Sequence, residues 1–168
     1  MKRRVVAIDF AQESELWQAL PEAEAIVAAA VSAAVAGAGL KHAPGAELSV
    51  VLTDDAGIAG INAAWRGLDK PTNVLSFPQA APEAVATAPL LGDIIFAYET
   101  LDREAAEAGR PLAHHLSHLA VHGFLHLFGY DHQTEAEAEA MEAMEVAVLE
   151  RLGIDNPYAG APLLRAAG

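Results

Sequence analysis

His122-Gly123-Phe124-Leu125-His126-Leu127-Phe128-Gly129-Tyr130-Asp131-His132 spaces three imidazoles as H-x-x-x-H-x-x-G-x-x-H, and this stretch decides how the rest of the chain is read. Residues four apart lie on one helix face, so His122 and His126 can aim a ring nitrogen at one point. A third ligand cannot come from continuing the row, because His118, His122 and His126 would extend over about 12 Å of helix at ~1.5 Å per residue. The chain must turn back instead. Gly129 stands where a helix C-terminus favours a left-handed residue, and a reversal there brings His132 toward the other two. Three neutral imidazoles with a fourth position open form the donor set of catalytic rather than structural zinc, one ion per chain. Nickel, copper and iron suit the same donors. An ordinary core helix with stray histidines would not be expected to include both a glycine at the turn and a returning histidine.

Outward from this stretch, Leu112 to Phe128 reads as one apolar helix. Before it come a short β-rich run, Arg4 to Phe10, and a helix opened by Pro21-Glu22-Ala23-Glu24 and stopped by Gly37 and Gly39. A second strand, Ala46 to Thr53, follows. Thr53 or Asp54 caps a helix to about Trp65, with Ile58, Ile61 and Trp65 on one side. Thr72 to Phe77 reads as a third strand ended by Pro78, and Leu90 to Ala97 as a fourth. Between them, Gln79 to Pro89 is Ala- and Pro-rich and is expected to be a mobile loop. Glu99 to Ala108 is a polar helix closed by Gly109. The last helix, Glu135 to Leu152, shows an apolar stripe of Met141, Met144, Val148 and Leu152 with glutamates opposite. The order β-α-β-α-β-β-α-α-α predicts an α+β fold: a small mixed four-stranded sheet packed with about five helices, the histidine helix central, in one domain spanning residues 1–168.

Composition narrows the chemistry. The 168 residues contain no cysteine, so any metal must be held by N and O ligands. The N-terminus begins like a signal peptide, but its apolar run is only Val5 to Ile8 before Asp9 ends it. The longest uncharged run, Ala25 to Leu40, falls short of the ~20 residues that span a bilayer. A cytoplasmic protein without a membrane partner is expected. The net charge of −13 argues against free-ranging nucleic-acid affinity, and binding to DNA is not expected, although a local basic groove beside a cation remains open.

The spacing around His122 matches the zinc-protease pattern H-E-x-x-H-x-x-G-x-x-H, except that Gly123 replaces the glutamate that serves as general base. A metal lowers the pKa of its water toward ~7, so hydroxide can form without that base when the leaving group is good. Two further segments carry residues such a site needs. Arg66, in Asn62-Ala63-Ala64-Trp65-Arg66, offers a guanidinium, the usual bidentate partner of a phosphate. Asp93 lies in an otherwise apolar strand, where an unpaired carboxylate is costly; a histidine N–H or backbone amides would be its partner.

Together these pieces resemble the YbeY family of rRNA maturation endoribonucleases. The resemblance rests on Asn62-x-x-x-Arg66, Thr72 to Pro78, Leu91-Gly92-Asp93-Ile94, His118 to His132 and the tail Leu152 to Tyr158. It implies a zinc-dependent, single-strand-specific endoribonuclease acting in 16S rRNA 3′-end maturation and late ribosome quality control. The implied partners are ribosomal RNA, the small ribosomal subunit, its associated proteins or an assembly GTPase. Carried over residue by residue, His122, His126 and His132 hold zinc and Arg66 is the basic residue of the cleft. His118 also fits the pattern and is expected at the substrate. Asp131 and Asp93 are assigned to orienting imidazoles or the turn. For His115 and His114 a solvated or supporting role outweighs a catalytic one. Two other readings stand beside this one: a zinc peptidase of metzincin-like spacing whose base lies elsewhere, and a non-catalytic ribosome assembly factor with a structural zinc.

Overall fold

The computed structural model describes residues 5–159, which form four strands and five α-helices, the last three helices consecutive. Of the first strand expected over Arg4 to Phe10, Arg4 lies outside the described residues and Val5 and Val6 precede β1 (Ala7–Gln12), because the ladder to β2 (Glu47–Thr53) starts at the pair Ala7 and Glu47. A parallel pair needs a crossover, and α1 (Ala23–Ala38) supplies it. Before α1 the chain makes a short 3-10 turn, Glu15–Ala19, capped by the Ser14 hydroxyl. That turn drives Trp17 fully into the core, where its indole N–H donates to the Thr53 carbonyl at 2.7 Å. Gly39 ends α1 in the left-handed conformation, whereas Gly37 stays helical. A Cβ on Gly37 would lie 3.0 Å from Arg151 and 3.1 Å from Val148, so this glycine sets how closely the last helix approaches.

Asp54 caps α2 (Asp55–Arg66) by accepting from the Gly57 amide. β3 (Val74–Pro78) and β4 (Leu90–Ala97) complete a sheet of order β1-β2-β4-β3, in which only β3 runs antiparallel to its neighbour. β3 is therefore an edge strand. Between them Val85 is buried at 4% exposure within a second 3-10 turn, Val85–Thr87, and Ala80 also packs against the core, so the Ala- and Pro-rich stretch is held at both places. Burial qualifies the reading of α2 and corrects that of the last helix. Of the side proposed for α2, Ile58 is buried and Ile61 partly so, but Trp65 is 73% exposed, because the sheet beneath that end of the helix stops at the edge strand β3. In the last helix, Glu145 is not on the polar side; it is fully buried, among the apolar stripe.

α3 (Tyr98–Ala108), α4 (Leu112–Leu127) and α5 (Glu135–Arg151) follow in order, α5 opened by a capping box between Thr134 and Glu137. α4 is central, packing against α1, α3, α5, β3 and β4. The main core lies between α1, α4, α5 and one sheet face; Ile58 of α2 closes a smaller cluster with Leu75, Ile95 and Ala97 on the other. No helix among the described residues is long and apolar enough to cross a membrane.

Candidate metal centre

The histidine helix ends as its sequence requires. The Gly129 amide donates to the His126 carbonyl and the Tyr130 amide to the Leu125 carbonyl, the paired bonds of a Schellman turn. Gly129 adopts φ +97°, and a Cβ there would also press on Pro82 at 3.0 Å. The turn carries His132 back. Its ring centroid lies 5.2 Å from that of His126 and 5.7 Å from that of His122. One ring nitrogen from each of His122, His126 and His132 falls within 4.8 Å of the others, so the three together could hold a metal ion. Asp131 steadies the turn by accepting from the His132 amide at 2.8 Å.

The tautomers of two of these rings follow from their neighbours. Nδ1 of His122 lies 2.7 Å from Glu145 Oε2, and Nδ1 of His126 lies 2.8 Å from the Tyr130 carbonyl. Both partners only accept, so both Nδ1 atoms carry a proton, and in the neutral rings both Nε2 atoms present lone pairs. Those Nε2 atoms stand 3.1 Å apart. Two lone pairs facing at that distance repel unless a cation lies between them. Nitrogens about 2.0–2.1 Å from a tetrahedral zinc would be roughly 3.3 Å apart, so the donor set and its spacing fit such an ion.

Behind the triad stands Glu145, whose importance its sequence neighbourhood conceals. Oε2 receives His122, while Oε1 lies 2.7 Å from His118 Nε2 and accepts from the Tyr158 hydroxyl. Burial alone would raise this carboxyl; the hydrogen bonds from His118 and His122 outweigh it and pull it down to about 2. A buried anion uncompensated by such donors would cost several kcal/mol. Tyr158 reaches the site because Arg110 donates to the carbonyls of Asp155 and Asn156, tying down the segment after α5.

Other proposed residues lie elsewhere. His118 is only 7% exposed and is engaged by Glu145 and Tyr158, which places it behind the triad instead of at a substrate-facing surface. Asp93 meets no imidazole. It accepts from the Gln79 amide side chain at 3.0 Å. The reason is strand alternation: Ile94 faces α4 at Gly123, so Asp93 points to the opposite sheet face. His115 pairs with Glu104 at 2.9 Å; burial opposes that carboxylate's charge, yet the hydrogen bonds from His115 and Asn73 hold it below its ordinary range. His114 is half-buried on α4. Arg66 is exposed on the last turn of α2 and makes no ion pair or hydrogen bond among the described residues; no contact joins it to the histidines. Asn62, buried in the same helix, donates to the Lys70 carbonyl at 3.0 Å and folds the loop after Arg66 back on itself.

Gly123 has a packing role. A Cβ there would come within 2.9 Å of Ser76 Oγ and 3.2 Å of Ile94, and the Ser76 hydroxyl donates to the Gly123 carbonyl. The position that carries a glutamate in the zinc proteases is pressed here against β3 and has no room for one.

A family model described as Endoribonuclease YbeY matches residues 8–153. Proteins named endoribonuclease YbeY are similar over most of their length. One from Rhodopseudomonas palustris (strain BisA53) is 59% identical over 87% of this chain and 86% of its own. One from Methylocella silvestris is 53% identical over 90% and 85%, and one from Bradyrhizobium diazoefficiens 54% identical over 89% and 83%. A Thermotoga maritima protein solved in solution shares the fold, with a TM-score of 0.53 at 22% identity, covering 94% of this chain and 99% of that one.

Proposed function

Because the chain belongs to the YbeY endoribonuclease family, we propose that it hydrolyses phosphodiester bonds of single-stranded RNA at one zinc ion held by His122, His126 and His132. The substrate we assign is the 3′ end of 16S ribosomal RNA during maturation and late quality control of the small subunit. An acidic chain, at net charge −13, suits an enzyme that reaches RNA in the company of ribosomal proteins or an assembly GTPase. The observation that carries the reading is the convergence of His122 and His126 Nε2 at 3.1 Å with His132 turned onto them.

When bound, zinc supplies Lewis-acid chemistry, lowering the pKa of water and drawing charge from a phosphate oxygen. The protein's own groups do the positioning. Glu145 and the Tyr130 carbonyl hold His122 and His126 in the tautomer that presents Nε2, so neither ring must lose a proton to bind a cation. Asp131 holds the turn that presents His132. Arg66 pairs with a substrate phosphate and offsets charge as it builds. Peptide hydrolysis is disfavoured by the packing of Gly123 against Ser76, which removes the usual site of the general base.

Metal analysis and a cleavage assay on single-stranded RNA, run on the same samples, test this reading. The wild type should hold one zinc per chain and cleave. Arg66→Glu should keep the metal and lose cleavage. Stoichiometric zinc in His126→Ala would show the ligand assignment to be wrong.

A further inference from the structure

α2 lays its apolar side against the sheet as far as Ile61 and then carries Trp65 past it. Among the described residues Trp65 is the most exposed of the large hydrophobic side chains, at 73%. It is not loose: its ring centroid lies 5.8 Å from that of Phe77, with the planes tilted by 52°. Phe77 in turn is half-buried against Ile58, Leu75 and Ile95. A core-anchored ring therefore buttresses one side of an indole whose remaining surface faces solvent. A single exposed aromatic would need no explanation. This one has Arg66 as its neighbour, with no ion pair or hydrogen bond among the described residues, and exposed Leu68 and Lys70 follow. In a chain with 23 acidic and 10 basic residues, the run from Asn62 to Ala80 holds Arg66 and Lys70 against Asp69 alone.

The placement links this patch to the metal centre. Phe77 faces α2, while its neighbour Ser76 faces α4 and donates to the carbonyl of Gly123, the residue after His122. One edge strand thus separates the indole from the histidines, and nothing among the described residues pairs with its outer side. Sequence-independent binding of single strands combines cations that track phosphates with aromatic faces on which bases stack. Arg66 and Trp65 are such a pair in consecutive positions.

We propose that Trp65, buttressed by Phe77, is a stacking platform for a nucleobase of the single-stranded RNA substrate, adjoining the phosphate held by Arg66. This rests on the RNA-cleaving function proposed above. It makes unpaired bases part of what the enzyme recognises, since a base within a duplex offers no free face.

The chain's two tryptophans make the test direct. Trp17 is fully buried, so a ligand that quenches emission at the surface reports Trp65. Zinc-loaded protein would be titrated with a fluorescein-labelled ten-nucleotide 2′-O-methyl RNA, and with an abasic oligomer of the same backbone, with anisotropy reporting binding. Both oligomers are checked for intactness afterwards. The base-bearing oligomer should bind and quench; the abasic one should bind more weakly and leave emission unchanged. Trp65→Ala should weaken the base-bearing oligomer by roughly tenfold, leave the abasic one alone, and raise KM for RNA cleavage with kcat preserved. Trp65→Phe should recover most of the loss. RNA that binds and is cleaved while emission and Trp65→Ala affinity stay at wild-type values would overturn the platform, assign Trp65 to a protein contact, and leave the nuclease intact. Absence of both binding and cleavage would overturn the nuclease reading and the platform together.

Discussion

Ser76 and Phe77 are consecutive on β3, yet they open onto two different kinds of surface. On the Ser76 side the polar groups are buried and bound to one another: Glu145 is fully inaccessible and receives His118, His122 and Tyr158. On the Phe77 side lie Trp65 and Arg66, exposed and held by little besides their own helix. Groups that must present a lone pair in one direction are held by neighbours, at the cost of burying a carboxylate. On the reading proposed above, Trp65 and Arg66 await a flexible strand and keep their contacts open. Changes on the first side should therefore alter metal and stability, and changes on the second should alter RNA handling with the metal untouched.

The widest separation between the two sides is expected from ligand loss. His126→Ala should empty the site and reduce RNA cleavage to background, by metal analysis and gel assay. Arg66→Glu should come next, lowering kcat/KM by about 10²-fold or more while zinc content stays at wild type. Loss of zinc in Arg66→Glu would erase the distinction between the sides. Glu145→Gln should weaken zinc by roughly 10- to 100-fold in chelator competition, since a neutral amide supports His122 less well. The same carboxylate sets a pH response. Its pKa is held at about 2 in the folded protein against an ordinary 4.5. Its contribution to stability is thus complete above 4.5 and fades as pH falls from there toward 2. Thermal unfolding of the metal-free wild type should decline more steeply across that window than that of Glu145→Gln; parallel curves would remove Glu145 from the account. The smallest expected effect belongs to Gly123→Ala, about 1–3 kcal/mol in denaturant unfolding from the methyl forced against Ser76 and Ile94.

Element order was readable because apolar spacing, caps and glycines agreed along the chain. Asp54, Gly39 and Gly129 act at the ends where their chemistry predicts them. The convergence of His122, His126 and His132 could be read for the same reason: a helix row and a glycine turn are local facts. Glu145 could not be recognised by type, since α5 also carries Glu135, Glu137, Glu139, Glu142 and Glu150. Its one signal was position, four residues after Met141 and three before Val148, which puts it on the apolar stripe. Only the packing of α5 on α4 shows that His118 and His122 wait there. Asp93 went the other way: an acid in an apolar strand suggested a histidine N–H or backbone amides as its partner, but the face it would occupy depended on a register the strand alone does not contain. Helical spacing put Trp65 on the side of Ile58 and Ile61, but its exposure was not legible, because spacing says which residues share a side and not how far the sheet extends beneath them.

On the function proposed above, the imidazoles of His122, His126 and His132 hold the ion at which RNA is cleaved. The most direct measurement is zinc content and single-stranded RNA cleavage on the same preparations of wild type and His126→Ala, with circular dichroism showing both folded. One zinc per chain with cleavage in the wild type, and neither in the variant, is the predicted result. A folded His126→Ala protein that keeps its zinc or its cleavage would contradict it.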